Sequence, residues 1–211
     1  MEKTIAQEMA ERLLKVEAVK LQPEAPFTWA SGWLSPIYCD NRVTLSDPEV
    51  RTFIKENLAQ LIQQHFPEVT AISGVATGAI AQGALVADLL HLPFSYIRSK
   101  AKDHGMQNLI EGRIQPKDKV VVVEDLISTG MSSLNAVQAL RHAGYEVLGM
   151  VAIYTHGLQK AEQAFQEAGV TLYTLSDYDT VIEQAAATHY INEQEIHTLQ
   201  QWRKAPEVWG K

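Results

Sequence analysis

Ile5, Met9, Leu13 and Val16 recur at helical spacing and predict a first helix. Ser46-Asp47-Pro48-Glu49 is a second helix start, with a capping residue, a first-turn proline and an early acid. Phe53, Ile54, Leu58, Leu61 and Ile62 supply the buried stripe of that helix. From there the period alternates. Residues 69–73 predict a strand, 78–90 a helix of small residues, and 94–98 a second strand. Val120 to Val123 form an unbroken apolar run, the pattern of a strand buried on both faces. Residues 131–143 predict a helix closed by Gly144, 147–154 a strand, 158–168 a helix closed by Gly169, and 171–175 a last strand before two terminal helices.

Strands alternating with helices predict an α/β fold, a parallel sheet with helices on both faces. Ligands of such sheets bind outside the C-terminal ends of the strands, which singles out the loops after Ser73, Arg98, Val123 and Tyr154. No repeat or linker interrupts the pattern, so residues 1–211 read as one domain. The aromatic segment Phe27 to Arg42 lies outside the alternation, and residues 20–45 are expected to form a small N-terminal hood over the site.

The densest chemistry follows the valines: Glu124-Asp125-Leu126-Ile127-Ser128-Thr129-Gly130, then a helix from Met131. Unpaired amides and the dipole at a helix start favour a phosphate. Ser128, Thr129, Ser132 and Ser133 add hydroxyl donors, and Gly130 allows close backbone approach. The adjacent carboxylates suit vicinal hydroxyls, so the implied ligand is a phosphate beside a diol, as in a ribose 5′-phosphate. Neither the Walker pattern nor Gly-x-Gly-x-x-Gly is present.

Composition narrows the class. The chain is 46% hydrophobic and 20% charged, an ordinary globular balance. No apolar run reaches the roughly 20 residues that span a bilayer, and the N-terminus leads into an amphipathic pattern rather than a secretion signal. Cys39 is the only cysteine, which rules out an internal disulfide and fits a reducing cytoplasm. A net charge of −7 argues against a nucleic-acid partner. Against that background Arg98, Lys100, Lys102, His104 and Arg113 gather in one short stretch and ask for a small anionic ligand. Ser73-Gly74-Val75-Ala76-Thr77-Gly78-Ala79 is a further glycine-bearing turn whose amides suit a phosphate. The histidines at 65, 91, 142, 189 and 197 show no metal-ligand spacing, and no metal ligand is assigned. His156 reads either as a neighbour of the bound base or, more commonly for a lone histidine, as a packing residue.

The run from Val120 to Gly130 resembles the phosphoribosyl pyrophosphate signature of the type I phosphoribosyltransferases: apolar strand, two acids, two variable residues, Thr or Ser, Thr, Gly. Arg98 to Gly105 resembles the catalytic loop of the orotate phosphoribosyltransferase family. Phe27 to Arg42, with Ser31-Gly32 and Ser35-Pro36, is similar to that family's N-terminal segment. The resemblance implies a type I phosphoribosyltransferase fold and the reaction of orotate with phosphoribosyl pyrophosphate to give orotidine 5′-monophosphate and pyrophosphate. It implies Arg98, Lys102, His104 and Asp125 as catalytic residues. Lys100, Glu124, Asp125, Leu126, Ile127, Ser128, Thr129, Gly130, Met131 and Ser132 would bind phosphoribosyl pyrophosphate, and Ser128 would also touch orotate. It further implies Mg²⁺ carried by the substrate's pyrophosphate and hydroxyls, and a homodimer whose lid loop acts across the interface. The chain has Ala30 and Gly78 where some members carry lysine, Ser99 where many do, and Trp33 and Leu34 where basic residues are frequent. A purine-type phosphoribosyltransferase and a non-catalytic sensor of phosphoribosyl pyrophosphate are the alternatives.

Overall fold

The fold was obtained as a computed structural model that describes residues 2–29, 31–99 and 109–210. Along the chain the elements are α1 (Ile5–Lys15), β1 (Val19–Leu21), β2 (Phe27–Thr28), β3 (Leu34–Ser35), β4 (Ile37–Cys39), α2 (Pro48–His65), β5 (Ala71–Val75), α3 (Ile80–Leu90) and β6 (Phe94–Ile97). They continue with β7 (Ile110–Glu111), β8 (Lys119–Ile127), α4 (Met131–His142), β9 (Glu146–Thr155), α5 (Gln159–Glu167), β10 (Leu172–Asp177), α6 (Tyr178–Ala187) and α7 (Glu193–Lys204). Chain contacts divide these into two compact units, residues 48–175 and residues 1–47 with 176–211.

The larger unit is built on a six-stranded sheet of order β10-β9-β8-β5-β6-β7. β5 pairs in parallel with β6 and with β8, β8 pairs in parallel with β9, and only the short edge pair β6–β7 is antiparallel among the registered pairs. All four valines of β8 are fully buried, as the unbroken apolar run predicts. The pleat sends them alternately to two faces. Val120 and Val122 meet Leu134, Val137 and Leu140 of α4 and Phe165 of α5. Val121 and Val123 point the other way, where α2 and α3 pack.

The strand is longer than the valine run. It continues through Glu124 and Asp125 to Ile127, because β9 extends to Thr155 and supplies ladder partners: Glu124 lies opposite Ala152, Leu126 opposite Tyr154, and Ile127 opposite Thr155. β5 likewise runs to Val75, so the turn that follows begins at Ala76 rather than Gly74. β7 has no counterpart in the sequence pattern.

In the smaller unit, Thr4 and Gln7 form a capping box at the start of α1, and Asn192 and Glu195 form another at the start of α7. α1 buries Met9, Ala10, Leu13 and Leu14 against α6, while Ile5 stays exposed. The aromatic segment makes two small antiparallel sheets, β1 with β4 and β2 with β3. Trp29 sits edge-on to Trp202, whose Nε1 donates to the Leu34 carbonyl at 3.1 Å. Tyr38 remains exposed.

Candidate active site

The sheet reverses its strand order between β5 and β8. Later strands are added on the β6 side and then on the β8 side, so the C-terminal ends of β5 and β8 border a topological switch point, where α/β sheets bind ligands. Both loops at this crevice carry motifs picked out in the sequence. After β5 the chain turns through Ala76, Thr77 and Gly78, with Ala76 N donating to Ile97 O at 2.8 Å and Ala79 N donating to Val75 O at 3.1 Å. After β8 it passes Ser128, Thr129 and Gly130 into α4. The loops touch: Gly78 lies directly against the Asp125 carboxylate.

The two acids have different surroundings. Glu124 is only 4% exposed. Its carboxylate accepts from Ser133 Oγ at 2.9 Å and from the Asp125 backbone N–H at 3.0 Å. Burial, reinforced by the neighbouring Asp125 charge, pushes the Glu124 carboxyl well above the usual carboxylate range. Asp125 is half-buried at the crevice and is the more accessible of the pair. Ser133, expected among the hydroxyl donors, is instead buried at 1% exposure with its hydroxyl committed to Glu124. Its helix position explains this, since Ser133 shares the inward face of α4 with Ala136, Val137 and Leu140. Ser132 is exposed.

Gly130 opens α4 in the left-handed region, φ +77°, and no capping side chain accepts from the first turn. The helix start therefore keeps its anion-binding character. Ser128 and Thr129 are half-buried beside it, and Met131 is 62% exposed. Ile127 puts its side chain in the core, so only its backbone is left for a ligand, and its carbonyl already accepts from His156 N at 2.9 Å. Leu126 is half-buried on the β8–β9 ladder.

Arg98 follows β6 directly. Its N–H donates to Leu109 O at 2.8 Å, and its Nη1 lies 3.5 Å from Glu111 Oε1. Glu111, on the unforeseen strand β7, is thus the charge partner that sequence reasoning missed. Ala30, Lys100, Lys102 and His104 lie outside the described residues. His156 is buried at 1% exposure, with Nδ1 3.3 Å from the Tyr154 hydroxyl, and burial lowers its pKa to about 3. It is a neutral packing residue at the end of β9, not a group presented to a base.

Among the described residues no group of three or more His, Cys, Asp or Glu side chains is arranged to hold a metal ion. Nor is any described helix long and apolar enough to cross a membrane.

Residues 45–185 match the family described as phosphoribosyl transferase domain. The chain is 61% identical over 208 residues to a Porphyromonas gingivalis protein named orotate phosphoribosyltransferase, covering 99% of each. A Listeria monocytogenes protein of the same name is 54% identical over 208 residues, covering 99% of this chain and 100% of that one. Among solved structures, orotate phosphoribosyltransferase from Aeropyrum pernix aligns with a TM-score of 0.76 at 29% identity, covering 87% of this chain and 99% of that one.

Proposed function

The chain belongs to the phosphoribosyl transferase family, within its orotate phosphoribosyltransferases, and from that premise we propose which residues carry out the reaction. The activity is the transfer of ribose 5-phosphate from phosphoribosyl pyrophosphate to orotate, giving orotidine 5′-monophosphate and pyrophosphate in UMP biosynthesis. The observation that carries the residue assignment is the meeting of the acid–hydroxyl–glycine run with the turn after β5 at the switch point.

The 5′-phosphate is held by backbone amides and hydroxyls from Ser128 to Ser132, where an uncapped helix start favours an anion. Ser128 also touches orotate. Asp125 meets the ribose diol directly. Glu124 acts from behind it, holding the Asp125 N–H. A carboxylate so placed stabilises the positive charge that develops at the anomeric carbon as its bond to pyrophosphate lengthens. The turn from Ala76 to Ala79 offers backbone amides to the pyrophosphate. Arg98, Lys100, Lys102 and His104 neutralise the leaving group and exclude water from the attack of the orotate nitrogen. Arg98 exchanges its Glu111 contact for the pyrophosphate in doing so.

The donor set fits Mg²⁺ brought in with substrate, since Asp125 places a half-buried carboxylate at the crevice. Bound by the pyrophosphate and ribose hydroxyls, that ion would supply charge neutralisation. The proposal extends to a homodimer in which the lid loop serves the neighbouring subunit, to a base-recognition role for residues 20–45, and to a cytoplasmic location, in keeping with Cys39 being the only cysteine of the sequence.

Lys102→Ala tests the lid. Turnover is expected to fall at least about a hundredfold, the scale of losing one preorganised charge contact to the transition state, with binding of phosphoribosyl pyrophosphate by calorimetry little changed. Unchanged turnover would remove the lid from the mechanism.

A further inference from the structure

We propose that Ser133 is a positioning residue for the acid pair, its hydroxyl fixing the Glu124 carboxylate that stands behind Asp125. This rests on the reading that Glu124 supports Asp125 at the ribose. Ser133 Oγ donates to Glu124 Oε2 at 2.9 Å, and the Asp125 N–H donates to Glu124 Oε1 at 3.0 Å. Each carboxylate oxygen therefore has a donor of its own, one from α4 and one from β8, and the plane of the group is set from both sides.

Packing alone does not ask for a hydroxyl at this position. Ser133 is 1% exposed, on the face of α4 that also buries Ala136, Val137 and Leu140, and alanine is accommodated on that face at 136. A serine inside a helix commonly donates to the carbonyl four residues back. Ser133 reaches instead to Glu124, nine residues back in the chain and on β8. A buried hydroxyl needs a partner, and the acid is the one this hydroxyl has.

The acid depends on the same bond. Glu124 is 4% exposed, so an oxygen deprived of its donor there has little solvent to turn to. Burial raises the Glu124 pKa, the Asp125 charge adds to the rise, and the Ser133 hydroxyl pulls against it by favouring the ionised form. Ser133 also lies in the first turn of α4, whose backbone N–H groups lack intrahelical acceptors. One residue thus ties the helix start that receives the phosphate to the acids that serve the diol. A carboxylate misplaced by about an ångström relative to a reacting sugar costs about a hundredfold in rate. Because the positive charge develops only in the transition state, the loss should fall on kcat rather than on substrate binding.

The test is a double-mutant cycle with Ser133→Ala, Glu124→Ala and the two combined. kcat and KM for phosphoribosyl pyrophosphate are measured with Mg²⁺ and orotate, alongside a crystal structure of Ser133→Ala. In the parent background Ser133→Ala should lower kcat by about ten- to a hundredfold and move KM by less than about threefold. In the Glu124→Ala background, where no carboxylate is left to position, it should change kcat by less than about twofold. The crystal structure should show the Glu124 carboxylate turned from its place. Equal losses in both backgrounds would overturn the proposal, because Ser133 would then act through packing. A rise in KM that persists without Glu124 would overturn it too, by giving the hydroxyl to the phosphate. So would a Ser133→Ala enzyme with full activity and Glu124 in place. If Glu124→Ala is as active as the parent, the reading of Glu124 fails instead. In that case, or if Glu124→Ala is too slow to measure, the carboxylate position in the Ser133→Ala structure decides the positioning claim.

Discussion

Replacing His156 by glutamine should change how the protein's stability responds to acid. His156 is fully buried at the end of β9, its N–H holds the Ile127 carbonyl at 2.9 Å, and its ring lies edge-on to Tyr154. Burial lowers its pKa from 6.5 to about 3. Between those values the unfolded chain binds a proton that the folded chain refuses. Stability present above pH 6.5 is therefore lost as pH falls through that window, at about 1.4 kcal/mol per pH unit. From about pH 7.5 to about pH 5 the loss from this residue is about 2 kcal/mol. For a chain of this size that corresponds to a fall of about 4–8 °C in Tm. Glutamine keeps a polar side chain but does not titrate. The assay is urea denaturation of parent and His156→Gln at both pH values. The variant should be the less stable at the higher pH, because a packed ring is lost, yet should lose about 2 kcal/mol less on acidification. His156→Phe, which keeps a ring, should show the same reduced acid sensitivity. Parallel losses in parent and both variants would refute the reasoning, because His156 would then not be held neutral by the fold.

Gly130→Ala should lower stability by roughly 1–2 kcal/mol through the left-handed backbone alone. A Cβ there also meets the Phe165 ring at 2.9 Å. Because the strain falls on the phosphate loop, KM for phosphoribosyl pyrophosphate should rise by about tenfold or more, and an unaltered Tm and KM would count against the cradle. Glu124→Gln should make stability less sensitive to rising pH above the ordinary carboxylate range. The raised pKa of Glu124 means that its contribution is full below the ordinary carboxylate range and is lost as pH rises through the folded value, a loss the amide cannot undergo. Melting curves from acid to alkaline pH should show the variant gaining on the parent as pH rises, and a constant gap would contradict a carboxyl raised by burial.

The sheet and its order of elements were legible because the valine run, the capped helix starts and the glycine stops are local signals. What escaped depends on partners distant in sequence. β8 outlasts its apolar run because β9 reaches Thr155 and keeps Glu124, Leu126 and Ile127 on the ladder. β7 is two residues long and exists through pairing with β6. Arg98 and Glu111 meet on that pairing, which no charge count reveals. At the site, the hydroxyl–glycine run stood out in sequence as the candidate phosphate loop, but the two acids look equivalent in sequence, and only the fold buries Glu124 and leaves Asp125 at the crevice. The inward turn of Ser133 was available from helical spacing, since 133, 136, 137 and 140 form one apolar stripe. The fit of the Asp125 carboxylate into the space beside Gly78, across two loops, was not.

The most direct test of the account is a spectrophotometric assay of the purified protein with Mg²⁺ and phosphoribosyl pyrophosphate, offering orotate, uracil and purine bases in turn and repeating orotate with Asp125→Ala. The account predicts orotate consumption that requires phosphoribosyl pyrophosphate and falls at least about a hundredfold in the variant. Turnover of another base in place of orotate, or an Asp125→Ala enzyme as fast as the parent, would contradict it.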